Sequence, residues 1–208
     1  MATIPVRWQR WLDIYLFLNV TGYFVWQGWR VFDERRLDFI EGVFIVHTAI
    51  FCLCFLLRAP ARAIQTKIGH QAIALCAFYS GALFMGPETT QSPLLLQCSR
   101  YTLLAGMLLG IAALIQLGRS FGVLIAAREV RTTGLYGWIR HPMYLSDIVM
   151  RFGYFLSHPS WLVAMLLVVS SVCYIARAML EESFLTSASA TYADYMRRVR
   201  YRFVPGVF

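Results

Sequence analysis

The stretch YTLLAGMLLGIAALIQLG, Tyr101 to Gly118, decides what kind of core this chain builds. It contains no acidic or basic side chain, and as a helix it is roughly 27 Å long, close to the hydrocarbon thickness of a bilayer. Comparable runs recur on either side of it. They cover Trp11 to Trp29, Phe39 to Leu57, Gln71 to Gly86, Met143 to Ser157 and Pro159 to Ala176, the last two joined by the turn His158-Pro159-Ser160. The reading is an all-α integral membrane protein of about six transmembrane helices, ending in a helical hairpin. The run from Met143 is the shortest, at about 22 Å, so the hairpin is expected to reach only part-way or to thin the bilayer.

Composition supports a lipid-facing chain. Of 208 residues 59% are apolar and 14% charged, with a mean hydropathy of +0.58, whereas soluble domains are nearer one quarter charged. Disorder and a small disulfide scaffold are both excluded. The five cysteines are odd in number, lie in apolar runs and show no C-x-x-C spacing, so they read as reduced small hydrophobes with no metal site. Arg7 and Arg10 precede the first run as they would a signal sequence, but Asp13, Asn19 and the lack of an A-x-A site favour a retained helix.

With the N-terminus inside, most of the nineteen basic residues fall on the cytoplasmic side, which places both termini there. The net charge of +8 then follows from topology and attraction to anionic headgroups, and is no argument for nucleic acid. Eighteen arginines against one lysine, with compact loops, suit a bacterial inner membrane. No fixed-period repeat or polar linker divides the chain. It reads as one membrane domain over 1–208, with N-terminal helices over 1–117 and a polar, glycine-punctuated half over 118–208.

That second half holds two polar clusters. One runs from Gly118 through Arg128, Gly134, Tyr136 and Arg140-His141-Pro142 to Tyr144. The other holds Arg177, Glu181, Glu182, Tyr192, Tyr195 and the arginines at 197, 198, 200 and 202. A hairpin between them returns the chain to the side it left, so both clusters converge at one mouth of the bundle. Non-helical backbone is tolerated at such a mouth because it lines a cavity. Arg177 and Glu181, four apart, share a helix face and can pair or jointly face a ligand.

Arg140-His141-Pro142-Met143-Tyr144, the hairpin, Glu181-Glu182, then Tyr192, Tyr195 and Arg198 before Pro205 resemble the C-terminal half of the isoprenylcysteine carboxyl methyltransferase family. Phospholipid methyltransferases share the Arg-His-Pro to Glu-Glu pattern. The resemblance covers about Leu117 to Phe208. It departs where a Phe-Gly pair often precedes the first tyrosine of the tail, since Ala188-Ser189-Ala190 stand here. It implies a membrane enzyme with a cytoplasmic S-adenosylmethionine pocket and a lipophilic acceptor, a small molecule or lipid, drawn from the bilayer.

By that resemblance Gly134, Tyr136, Arg140, His141, Pro142 and Tyr144 contact the cofactor. Glu181 or Glu182 takes its amine or ribose hydroxyls, Tyr192 or Tyr195 lines the adenosyl pocket, and Arg198 has a family counterpart. The absence of a G-x-G-x-x-G after a strand, and of alternating strand and helix patterns, excludes the doubly wound fold of soluble methyltransferases. Each residue also has a plainer account. Arg140-His141-Pro142 can be a helix start, Glu181-Glu182 a solvated helix face, and the tail arginines a headgroup patch.

Asp147 and Arg151 lie four apart in an apolar run, where they can form an ion pair, or Asp147 can orient an acceptor near the reaction cavity. Arg177 can snorkel, or pin a carboxylate bidentately. Glu41 and His47 are weaker candidates for acceptor contact. Gly106 to Gly110 and Gly118 to Gly122 are G-x-x-x-G spacings that allow close packing, within the bundle or in a homodimer. A membrane reductase of the sterol type, using a reduced nicotinamide, and a non-enzymatic scaffold are the alternative functions.

Overall fold

A computed structural model describes residues 6–33, 39–84 and 89–207. Seven helices account for most of it: α1 (Val6–Asp33), α2 (Phe39–Leu57), α3 (Ile68–Tyr79), α4 (Pro93–Leu117), α5 (Pro142–Ser157), α6 (Trp161–Ala188) and α7 (Ala190–Arg198). Two short strands, β1 (Ala63–Ile64) and β2 (Ala126–Ala127), pair antiparallel with Ala63 opposite Ala127.

Three of these helices, not six, are long and apolar enough to cross a membrane: Phe39–Leu57, Pro93–Ser120 and Trp161–Ala188. The six-span expectation fails on length and polarity. α3 has 12 residues and α5 has 16, or about 18 and 24 Å against a core of about 30 Å. α5 also carries Asp147 and Arg151. α1 has 28 residues, but Asp13, Asn19 and Gln27 dilute its apolar sequence. The C-terminal hairpin is present, with Ser160 capping α6 through a bond from the Val163 amide, but only its second arm is span-length.

The C-terminal ends of α2, α4 and α6 meet on one face. There the Ala59 amide donates to the Arg119 carbonyl at 2.8 Å, and Arg177 of α6 donates to the carbonyl of Val123 at 2.6 Å. α3 and α5 are the return helices. At the far end the amides of Thr89 and Thr90 both donate to the Ser157 carbonyl that closes α5.

The tightest helix pair is α4 with α5, and missing side chains make it so. A Cβ on Gly106 would lie 2.7 Å from Met150 Cγ and 3.0 Å from its backbone nitrogen, and one on Gly110 would lie 3.1 Å from Ser146 Oγ of α5 and 2.8 Å from His47 Nε2 of α2. The Ser99 hydroxyl donates to the Gly153 carbonyl at 2.7 Å across the same contact. The Gly106 to Gly110 spacing is therefore consumed inside the chain and supplies no support for a homodimer. Gly118 and Gly122 do not form a helical stripe at all: Gly118 ends α4 at φ +50°, a conformation glycine adopts without strain, and Gly122 sits in the loop beyond.

The apolar core joins Leu16 and Val20 of α1 to Phe51 and Phe55 of α2, Leu114 of α4, and Phe121. Phe121 meets both Phe51 and Phe55 edge to face, at 5.1 and 4.9 Å between centroids, a geometry favoured by the ring quadrupoles. Gln71 anchors the small sheet: its Nε2 donates to the carbonyls of Gln65 and Ile125, and its Oε1 accepts from the Ile125 amide. This ties the loop after α4 to the start of α3 and fixes the floor on which the polar cluster stands.

Candidate functional site

Pro142 opens α5 because its missing amide would be an orphan donor at a helix start. His141 is therefore the residue before the first turn, and Arg140 precedes it. Both turn toward α6, where Glu182 is 3% exposed. Arg140 Nε donates to Glu182 Oε1 at 2.6 Å, His141 Nε2 lies 3.0 Å from the same oxygen, and Arg202 Nε donates to Oε2 at 2.9 Å. Both carboxylate oxygens are thus occupied. A buried carboxylate persists only when paired and hydrogen-bonded in this way.

The C-terminal tail is stitched into the same knot. The Arg140 guanidinium donates to the carbonyls of Val199 and Arg200, both at 2.7 Å. The amides of Arg140 and His141 donate to the carbonyls of Tyr201 and Arg202. Ile139 forms a parallel bridge with Tyr201. Further on, the Tyr195 hydroxyl donates to the Tyr136 carbonyl at 2.7 Å.

Beside the knot a cleft opens. The end of α4, the loop from Gly122 to Arg131, Tyr136, the start of α5, Glu181, Leu185, and Tyr192 and Tyr195 of α7 line it. Seven residues singled out from sequence reach it: Tyr136, Arg140, His141, Tyr144, Glu181, Tyr192 and Tyr195. Gly134, Pro142, Glu182, Arg198, Arg177 and Asp147 do not line it. Of the two glutamates, Glu181 faces the cleft and accepts a hydrogen bond from the Tyr144 hydroxyl. Glu182 faces the arginines.

The residues outside the cleft have structural tasks. Gly134 sits at φ +61°, and a Cβ there would come within 2.4 Å of Gln116 Oε1, the atom that accepts from the Leu135 amide at 2.7 Å. Arg177 is 3% exposed and donates to the carbonyls of Ala74, Gly122 and Val123, with its guanidinium 4.7 Å from the centre of the Tyr144 ring. It therefore neither snorkels nor pairs with Glu181 but supports a cleft residue from behind. The expected Asp147–Arg151 ion pair is bridged instead: the Tyr174 hydroxyl donates to Asp147 at 2.9 Å and lies 3.5 Å from Arg151 Nη2. Arg198 is exposed on the tail.

Sequence reasoning placed Arg128 in the first polar cluster but gave it no role. It lines the cleft, donates from Nε to the Ala59 carbonyl, and packs so closely on Gly122 that a Cβ there would meet its Nη1 at 2.3 Å. Burial pulls its pKa down, and Glu181 partly offsets that. Burial and then Arg128 push neighbouring Arg58 down to about 9. The only signal in sequence was a basic residue inside the loop that the glycines already marked. Burial raises the phenols of Tyr136, Tyr192 and Tyr195, which keeps them neutral around the cleft.

The arrangement can hold a polar ligand that carries both signs of charge, since Glu181, Arg128 and neutral tyrosines all line it. Comparison with known proteins bears on what that ligand is. Residues 99–191 match the family model of phospholipid methyltransferases. The matched stretch runs from α4 to the start of α7, and includes the Arg140-His141-Pro142 turn and both glutamates. A methyltransferase-family domain is present over this part of the chain, of a family related to, but not the same as, isoprenylcysteine carboxyl methyltransferase. Proteins of this family depend on S-adenosylmethionine. No curated protein matches the chain.

Proposed function

We propose that the chain is a membrane-embedded, S-adenosylmethionine-dependent methyltransferase acting on a lipophilic acceptor. The observation that carries this reading is Glu181: within the methyltransferase-family stretch, at the end of an apolar helix, a carboxylate held by Tyr144 faces a cleft walled by tyrosines. The donor set suits the cofactor. A carboxylate answers its amino group or ribose hydroxyls, the Arg128 guanidinium its carboxylate, and aromatic faces its sulfonium charge.

When bound, S-adenosylmethionine supplies a methyl group on a positively charged sulfur. The chain contributes alignment and exclusion of water, the two effects such a transfer needs most. Glu181 balances cofactor charge, Tyr136, Tyr192 and Tyr195 shield the cleft, and the Glu182 knot holds Arg140 and His141 at its edge. Arg177 acts as a positioning residue through Tyr144, whereas Asp147, bonded to Tyr174, stands apart from the cleft. The cleft holds about 100 Å³, below the few hundred of small-molecule sites, so entry of the cofactor requires its walls to part.

The basic face on which α2, α4 and α6 converge fits the cytoplasmic side of a bacterial inner membrane, with the acceptor arriving from the bilayer. A lipid headgroup amine and an isoprenylcysteine-like carboxylate are both acceptors within this reading. Incubation of the full chain in native lipid with methyl-labelled S-adenosylmethionine tests it. Label is expected in the solvent-extractable lipid fraction and to be lost in Glu181→Gln; label that stays in the aqueous phase with wild type contradicts the proposal.

A further inference from the structure

The tail that grips Arg140 and His141 also carries exposed groups that the cleft does not use. Trp138 is 75% exposed, Val207 79%, Val204 43% and Tyr201 38%. Trp138 adjoins Ile139, whose bridge to Tyr201 brings the backbone of the tail beside this turn. Its depth is fixed as well. The preceding turn, Gly134–Gly137, is bonded through the Leu135 amide to Gln116, one residue from the end of α4. Trp138 and the tail therefore lie at the edge of a membrane span.

The charges beside these apolar groups are unbalanced. Arg131 pairs with Glu129, Arg197 with Asp194 and Arg202 with Glu182. Arg198 and Arg200 are exposed and form no ion pair among the described residues. An exposed indole and valines beside unpaired arginines, level with a helix end, match the chemistry of the headgroup region: apolar at its floor and anionic at its surface.

We infer that Arg198–Val207 together with Trp138 forms a docking face for anionic lipid headgroups, and that docking holds the cleft closed. The coupling follows from continuity of the chain. Val199 packs against Tyr192 and Tyr195, which wall the cleft. The carbonyls of residues 199 to 202 fasten the tail to Arg140 and His141. A tail drawn onto the membrane fixes α7 over the cleft; a released tail lets α7 swing away. Docking itself stands apart from the methyltransferase reading, on which only the effect on cofactor affinity rests.

The test uses the full chain in nanodiscs of zwitterionic lipid and in discs containing phosphatidylglycerol, read by hydrogen exchange of the amides at 199–207. Each arginine at an anionic surface is worth about fivefold, so exchange should slow at least about tenfold in the anionic discs. The difference should vanish in Arg198→Gln/Arg200→Gln, whose changed side chains are exposed, and shrink in Trp138→Ala. Equal exchange in the two lipids, a lipid effect that survives the double variant, or protection by soluble polyglutamate in place of lipid overturns docking. Titration with S-adenosylhomocysteine then reads closure: tighter binding in anionic discs supports it and equal binding overturns it. Binding in neither disc, while the tail is protected in the anionic ones, sinks the cofactor reading and the closure but leaves docking standing.

Discussion

Two carboxylates in the C-terminal half lie among arginines, and the structure treats them differently. Glu182 has both oxygens held by three side chains, Arg140, His141 and Arg202, in contact with a tail that folds over it. Asp147 has one bond, from the Tyr174 hydroxyl, and reaches Arg151 only through that hydroxyl. Arg151, 5% exposed, spreads Nη2 between the Ala77 carbonyl and the Ser80 hydroxyl and lies over the Tyr174 ring at 4.8 Å, while its Nε and Nη1 are buried without a hydrogen-bond partner. At the basic face, charge is concentrated to immobilise a loop, a helix end and a tail together. Within the bundle, the two charges meet neutral groups in place of one another, and the guanidinium is left partly unsatisfied.

The largest expected effect comes from breaking the concentrated cluster. Glu182→Ala leaves Arg140 buried without its anion, a loss of about 3 to 5 kcal/mol. It should appear as a large fall in the apparent Tm in detergent and as release of the tail in hydrogen exchange. Wild-type-like melting would show that the knot does not hold the fold.

The cluster within the bundle should yield less. Tyr174→Phe removes the bridging hydroxyl, at a cost of about 1 to 3 kcal/mol. Because Tyr174 does not line the cleft, titration of the variant with S-adenosylmethionine should match wild type; a lost or much weakened signal would make the intramembrane cluster part of the site. The smallest effect should come from Arg202→Gln. Its side chain is 24% exposed and is the outermost of the three partners of Glu182, so the change should cost below about 1 kcal/mol. A cost as large as that of Glu182→Ala would mean that the knot depends on the tail and not on Arg140.

Both clusters were visible as residue types in the sequence, but their wiring was not. The spacing of Arg177 and Glu181 predicted a shared face, and the residues do share a helix. Yet Arg177 turns to three backbone carbonyls and Glu181 to Tyr144, because the carbonyls of Ala74, Gly122 and Val123 compete for the guanidinium. The adjacent glutamates looked equivalent until α6 rotated one toward the cleft and the other toward Arg140. Tyr174, an apolar-looking residue in a long apolar helix, carried no signal that it would separate Asp147 from Arg151.

The span count was misjudged for a related reason. Low charge marks a segment as buried but does not tell lipid from protein as its neighbour, so α3 and α5, short helices packed among others, read as crossings. Apolar runs, the hairpin turn at His158-Pro159-Ser160 and the convergence of the two polar clusters were legible because each depends on local composition or chain direction. Arg128 was not, since its place in the cleft depends on the close approach that Gly122 permits.

The central claim is that Glu181 marks a cofactor site and Asp147 does not. Calorimetric titration of the detergent-purified chain with S-adenosylmethionine tests it most directly, comparing wild type, Glu181→Gln and Asp147→Asn. The account predicts saturable binding in wild type and Asp147→Asn, with a loss of at least about tenfold in affinity in Glu181→Gln, in line with a charge-assisted bond worth about 1.5 to 3 kcal/mol. No binding by folded wild type, or equal binding by all three, would contradict it.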